Sequence, residues 1–203
     1  MELLHFTGQV WRPPYEASSQ LLQVTAGCTH SKCKFCSLYH GTKFRLSPIA
    51  EVEEDLKVIQ DYQPRARRVF LTGANPFALS YNRLLDLGLL IRKYLRYCES
   101  IGMFSRISDI KSKTVEELQN LRHLGFDSIS IGTESGDDNT LAMMNKGYTA
   151  NDIIEQCKKL EEANIRYNFV YLTGLAGRNK GEQNAVNTAN VFNQLHPFTI
   201  NFV

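Results

Sequence analysis

Cys28, Cys33 and Cys36 fall within nine residues, in the stretch GCTHSKCKFCSLYHG, directly after an apolar run. Three thiolates in one loop can ligate a metal ion or an iron–sulfur cluster, and a closed site takes four protein ligands. Three therefore leave one position open, where a small molecule can bind and react. The spacing is Cys-x4-Cys-x2-Cys, with an aromatic, Phe35, just before the last thiol. Adding His40 gives Cys-x4-Cys-x2-Cys-x3-His, a set that could instead close tetrahedrally around structural zinc. A non-catalytic iron–sulfur module is the third reading, although the loop itself supplies one thiolate too few for a closed cluster.

The other two cysteines, Cys98 and Cys157, lie in segments of helical periodicity, where a lone Cys behaves as a small core hydrophobe. The opening MELLHFTGQVWRPPYEASS shows no basic start followed by an apolar stretch. No run approaches the ~18 apolar residues of a membrane span. A cytoplasmic protein with reduced cysteines is the expectation. The chain has 203 residues, 43% hydrophobic and 22% charged, which suits one domain with a substantial core. A net charge of +2 carries no nucleic-acid signature. The densest basic group, Arg65, Arg67 and Arg68, is expected to be a solvated loop.

The elements that must position the cysteines alternate between strand-like and helical patterns. Residues 21–26 form the first predicted strand and deliver the chain to the cysteine loop. Ser47 and Pro48 predict an N-cap and a first-turn proline, followed by Ile49, Val52, Leu56 and Ile59 at helical spacing. Residues 68–73 make a second strand, then Leu84, Leu87, Ile91, Tyr94 and Cys98 a helical stripe. Residues 103–108 make the third strand, before a helix capped by Thr114 with Val115, Leu118 and Leu121 on one face. Residues 128–134, 167–174 and 198–203 complete six strands, separated by helices bearing Ile153, Ile154, Cys157 and Leu160, then Val186, Ala189, Phe192 and Leu195. Six strands and five helices in alternation predict an α/β fold with a parallel sheet and right-handed crossovers. A doubly wound open sheet and an incomplete βα barrel both fit that order, and both put the chemistry at the carboxyl ends of the strands. The predicted strand ends lead into Gly27-Cys28, Gly73-Ala74-Asn75, Ser108-Asp109, Glu134-Ser135-Gly136 and Gly174. Glycine at such ends lets backbone approach a ligand closely. Residues 1–20 read as a lead-in and 21–203 as the core; Arg12-Pro13-Pro14 predicts an extended segment crossing the barrel with Trp11 packed under it. An apolar last strand without a covering helix suggests that native sequence continues past Val203.

A three-cysteine loop after the first strand of a βα array resembles the radical S-adenosylmethionine (radical SAM) superfamily. Gly73-Ala74-Asn75-Pro76 is similar to its Gly-Gly-Glu element, and GTESGDDNTLAMMNKG to its Gly-x-Glu-Ser-Gly…Met-Asn-Lys-Gly segment. YLTGLAG, which holds Gly174, resembles the loop whose backbone faces the adenine. The resemblance runs from about Leu21 to the end and implies an incomplete (β/α)6 TIM-like partial barrel with parallel strands. It implies that Cys28, Cys33 and Cys36 hold three irons of a four-iron, four-sulfur (4Fe-4S) cluster. The fourth iron would chelate S-adenosylmethionine, whose reductive cleavage gives a 5′-deoxyadenosyl radical that abstracts hydrogen from a substrate. It further implies Phe35 beside the adenine and Gly73, Ala74 and Asn75 at the methionyl ammonium, mainly through backbone. Ser108 and Glu134 would face the ribose or methionyl part, with Arg106, on the same strand face as Ser108, pairing with the carboxylate. An external electron donor of flavodoxin or ferredoxin type is part of the same expectation. The chain departs from the commonest pattern in three ways. Thr29, His30, Ser31 and Lys32 make a spacer one residue longer than the usual three, Asn75 replaces the usual Glu, and no second cysteine cluster is visible.

Overall fold

The computed structural model describes residues 4–39 and 41–203. In chain order, β1 (Gln20–Gln23), β2 (Thr25–Ala26) and β3 (Arg45–Leu46) are followed by α1 (Ile49–Tyr62), β4 (Arg68–Thr72), α2 (Tyr81–Tyr94) and β5 (Ser100–Ser105). Then come α3 (Ile107–Lys111), α4 (Val115–His123), β6 (Phe126–Glu134), α5 (Asp138–Met143), α6 (Ala150–Glu162), β7 (Arg166–Tyr171), α7 (Gly181–Phe192) and β8 (Thr199–Phe202). Six strands pair in parallel in the order β1-β4-β5-β6-β7-β8. That order never reverses. A doubly wound sheet reverses at its switch point, whereas a barrel wall adds each strand on the same side of the last. The fold is thus an α/β partial barrel, as expected.

One face of the wall is apolar. Leu22, Leu71, Met103, Ile129 and Tyr167 lie in register across five strands. They join Leu56, Leu84, Leu87, Leu118 and Ile153 of the helices in one core. Each such side chain contributes about 1.5–3 kcal/mol on burial. The other face is different: Phe104, Ser130, Asn168 and Thr199 share a register row, and the Thr199 hydroxyl donates to Asn168 Oδ1 at 2.9 Å.

The lead-in fills the amino-terminal end of this inner face. Its 3-10 turn, Pro14–Glu16, buries Glu16, which accepts from Arg68 Nε at 2.7 Å. Arg68 and Arg166 both reach Asp127, at 3.2 and 2.8 Å. Gly102 makes the room: a β-carbon there would stand 2.5 Å from Arg68 Nη2. Arg68 is therefore not part of a solvated loop. The anchoring residues of the lead-in are Glu16 and Tyr15, whose hydroxyl lies 2.6 Å from Ser130 Oγ, while Trp11 is exposed rather than packed beneath the segment.

Several boundaries differ from expectation. The first strand breaks after Gln23, and Thr25 and Ala26 pair antiparallel with β3 in a separate ribbon. Ser47 does not cap α1; Pro48 occupies the N-cap position and no side chain caps the helix. The third strand lies three residues earlier than predicted, so Ser108 belongs to α3. Seven α-helices, not five, occur among the described residues, because β5 and β6 are each followed by two. The Thr114 cap forms, with Glu117 N–H donating to Thr114 Oγ1 at 3.1 Å and Thr114 N–H to Glu117 Oε2 at 2.9 Å. No helix among the described residues is long and apolar enough to cross a membrane.

Candidate functional site

The carboxyl ends of the strands carry the three cysteines. Cys28 and Cys33 are half-buried and Cys36 is exposed, and all three thiols are free. The Cys36 amide donates to the Cys33 carbonyl at 3.2 Å, folding the second half of the loop into a tight turn. Burial pushes the Cys33 thiol up, while Lys146 and Arg106 pull it down and the Cys28 and Cys36 thiols raise it slightly. Burial and then the charge of Cys28 and Cys36 push Tyr39 up to about 12. The three thiols therefore share one electrostatic neighbourhood, with two cations beside it. That donor set fits an anionic cluster, whose thiolates each bind a different iron and stand farther apart than ligands on one ion. Among the described residues no three His, Cys, Asp or Glu side chains converge on a single metal ion. His40, the fourth member of the zinc set, lies outside the described residues.

Gly73 ends β4 at a φ of +135°, and a β-carbon there would stand 1.9 Å from Thr25 Oγ1. Only glycine lets this loop pass so close to the strand that leads into the cysteines. The Ala74 amide donates to the Gly27 carbonyl at 3.4 Å. Asn75 is fully buried, and its amide links the cysteine loop to Asp109, donating to Thr29 Oγ1 at 2.6 Å and to Asp109 Oδ2 at 2.9 Å. A cavity of about 350 Å³ opens beside this loop, lined by residues 7–10, Gln23, Gly27, Gly73, Ser37 and Tyr39 among others. Nearby, the buried hydroxyls of Thr25 and Thr72 have no hydrogen-bond partner.

Glu134 closes β6 beyond a register shift against β7, with φ at +63°. Bulges of this kind re-aim a side chain at a strand end. Its carboxylate lies 3.6 Å from Lys146, whose ammonium donates to the Gly132 carbonyl at 2.9 Å and stands 5.4 Å over the Phe35 ring. Burial pushes the Glu134 carboxyl up and the Lys146 ammonium down, each toward neutrality, and their mutual attraction opposes both shifts. Arg106 is the N-cap residue of α3 and donates through Nη2 to the Lys146 carbonyl. It does not share a strand face with Ser108, yet Arg106 Nη1 donates to Ser108 Oγ at 2.9 Å. Arg106 Nε is buried without a partner.

The structure thus links Phe35 and Glu134 through Lys146, and Ser108 through Arg106, to the two cations beside Cys33, with Asn75 joined to the same loop. Gly174 lies in a turn with φ at +75°, its carbonyl accepting from the Gly177 amide at 3.0 Å, and nothing lies within 4 Å of where its β-carbon would be. Sequence reading missed Lys146, Tyr148 and Asp109. Lys146 and Tyr148 sit inside or next to the Met-Asn-Lys-Gly segment, and Tyr148 donates to the Gly132 carbonyl at 2.8 Å. Asp109 was legible only as the polar residue after Ser108.

A family model described as the radical SAM superfamily matches residues 22–189. The chain belongs to the radical SAM superfamily. It is 22% identical over 172 residues to the heme chaperone HemW of Bacillus subtilis, covering 80% of this chain and 44% of that one. Among solved radical SAM structures, it resembles the methyltransferase TsrM from Kitasatospora setae, with cobalamin and a 4Fe-4S cluster bound. That match has a TM-score of 0.72 at 17% identity and covers 91% of this chain and 36% of that one. The coproporphyrinogen III oxidase HemN from Escherichia coli aligns with a TM-score of 0.64 at 16% identity, over 91% of this chain and 44% of that one. The chain spans less than half the length of each of these three proteins.

Proposed function

We propose that this chain binds a 4Fe-4S cluster through Cys28, Cys33 and Cys36 and S-adenosylmethionine across the adjoining loops, and acts as a radical SAM enzyme. The observation that carries this reading is the grouping of three free thiols in one loop with Lys146, Arg106 and Glu134 at the carboxyl end of a singly wound parallel sheet. When bound, cluster and cofactor supply one-electron cleavage of a carbon–sulfur bond and hydrogen abstraction from the substrate.

The chain's own residues do the rest. Lys146 and Arg106 offset the negative charge of thiolate-bound iron, in a setting where burial strengthens their field. Phe35, under Lys146, gives the adenine an apolar neighbour, and the backbone of Gly174 gives it an edge to bond. Gly73 and Ala74 offer backbone to the methionyl ammonium, since the Asn75 side chain is already occupied by Thr29 and Asp109. Glu134 and Ser108 face the ribose or methionyl part, and Arg106 its carboxylate. Cys36 is exposed, which supports its side as the one from which an external donor of flavodoxin or ferredoxin type would deliver the electron. Cytoplasmic residence goes with that reduced donor.

Anaerobic reconstitution with iron and sulfide tests the reading. A brown protein whose cluster spectrum changes on adding S-adenosylmethionine, and which releases 5′-deoxyadenosine under reduction, is the expected result. A colourless protein holding stoichiometric zinc would overturn it, and a cluster indifferent to S-adenosylmethionine would leave only a passive iron–sulfur module.

A further inference from the structure

Two of the three departures from the family pattern, the four-residue spacer and the missing glutamate, meet in space. The Thr29 amide donates to Asn75 Oδ1 at 3.2 Å, and Asn75 Nδ2 donates back to Thr29 Oγ1 at 2.6 Å. The same nitrogen donates to Asp109 Oδ2, which also accepts from the Arg106 amide at 2.8 Å. A glutamate at this place has no donor for either partner. It would set a second carboxylate against the buried one of Asp109, a like-charge contact in low dielectric.

The far end of the spacer is held separately. The His30 ring donates from Nε2 to the Asn145 carbonyl at 2.6 Å, and Asn145 Nδ2 donates to the Lys32 carbonyl at 3.1 Å. The Lys34 amide donates to the Met144 carbonyl at 3.1 Å. Gly147, at φ +77°, leaves space for the ring; a β-carbon would come within 3.2 Å of His30 Cε1. Ser31, between the two anchors, takes a left-handed conformation at φ +47°. A longer spacer has more backbone freedom to lose when three thiols must converge. Both anchors use only protein groups, so they act before any metal arrives.

We propose that Asn75 is a positioning residue matched to the four-residue spacer: with the turn at 144–147 it pre-orders the cysteine loop for cluster assembly. The inference rests on reading the three thiols as cluster ligands. Its test is hydrogen–deuterium exchange on the full chain, metal-free and reconstituted, for wild type, Asn75→Glu, Thr29→Val and Thr29→Ser. The Thr29 and Lys34 amides, which donate to Asn75 Oδ1 and the Met144 carbonyl, should be protected in metal-free wild type and in Thr29→Ser, which keeps the hydroxyl. They should exchange about tenfold or more faster in Asn75→Glu and Thr29→Val, the scale of one or two lost hydrogen bonds, with β6 and β7 amides unchanged. On reconstitution those two variants should bind fewer irons per chain and give an altered reduced-cluster paramagnetic resonance signal. Unprotected Thr29 and Lys34 amides in metal-free wild type, or wild-type protection in Asn75→Glu, would overturn the proposal. Global loss of protection in Asn75→Glu together with a wild-type Thr29→Val would also do so, by assigning Asn75 to the core. Failure of the cluster reading is distinguishable: protection would follow the expected pattern while wild type took up no cluster.

Discussion

A lysine with 4% of its surface exposed must find partners for its charge inside the protein, and Lys146 finds Glu134, the Gly132 carbonyl and the Phe35 ring. Removing one member of such a pair strands the other in low dielectric, a loss of about 3 kcal/mol or more. Lys146→Met and Glu134→Gln should therefore each destabilise the chain, and the double variant should lose less than the sum of the two in denaturant unfolding. Additive losses would show that the pair is not coupled. The cysteines lead to a different expectation, because each would supply a separate iron. Cys28→Ala, Cys33→Ala or Cys36→Ala should each abolish cluster assembly and 5′-deoxyadenosine release, and full release by any one would remove that residue from the ligand set. The thiols were legible in sequence because their spacing is local. Lys146 was not, since its contact with Phe35 joins segments far apart in the chain and follows only from the fold. Asn75 was legible as a departure from a pattern, but two of its three hydrogen bonds depend on how the cysteine loop folds back onto it and the third on α3 beginning at Ile107, which places Asp109.

Elements were read well where apolar periodicity decides them and poorly where polar groups are buried. The stripes of α1, α2 and α6 are mostly buried as their spacing predicts, Leu56, Leu84 and Ile153 being fully covered. Ile49 at the start of α1 is exposed, however, and Cys98 lies past the end of α2, buried outside any helix. For α7 the spacing points to Val186, Ala189, Phe192 and Leu195; Phe192 and Leu195 are buried, yet Val186 and Ala189 are exposed, and Asn184 and Thr188 turn inward instead. The reason lies in the loop after β6. Ser135 Oγ donates to Asn184 Oδ1 at 2.5 Å, the Gly136 amide donates to Thr188 Oγ1 at 2.9 Å, and Asn187 Nδ2 donates to Asp137 Oδ1 at 2.6 Å. Buried backbone donors need partners, and a polar helix face supplies them where leucines would not. The approach is close enough that Gly136 has no room for a side chain: a β-carbon would lie 2.9 Å from Thr188 Cα and 3.0 Å from Val191 Cβ. Gly136→Ala should push α7 off the loop and destabilise the chain by about 1–3 kcal/mol, the usual cost of overpacking. Glu134, two residues upstream, should lose affinity for S-adenosylmethionine with it, measurable by equilibrium binding to reconstituted protein. Unchanged stability and binding would mean that α7 does not position this loop.

At the scale of the whole molecule, strand order separates two architectures that alternation alone left open, because only pairing shows that the sheet never reverses. The inner face then has to be filled or lined, and here the chain uses Glu16, Arg68 and Asp127 at one end and the cysteine loop at the other. Between them the connections must be braced, and Lys113 braces one with a buried charge. Its ammonium donates to the Phe77 carbonyl at 2.7 Å and to the Asp109 carbonyl at 3.1 Å, tying the turn after Asn75 to the end of α3. Burial lowers its pKa from 10.5 to about 8, with Asp109 and Glu117 opposing the shift. The sign follows from proton counting. Between about 8 and 10.5 the unfolded chain keeps this proton and the folded chain releases it, so folding stability rises with pH across that window. Below about 8 both states are protonated, and the buried charge is carried at full cost. A shift of that size corresponds to about 3 kcal/mol, of which about 2–3 kcal/mol should be recovered by pH 10. Urea unfolding of metal-free wild type and Lys113→Met at pH 7.5 and pH 10 isolates the effect, since other groups titrate alike in both. Wild type should gain about 2–3 kcal/mol relative to Lys113→Met over that interval. A constant difference between the two proteins would mean that Lys113 keeps an ordinary lysine pKa in the fold, and that hydrogen bonds to the two carbonyls fully offset its burial.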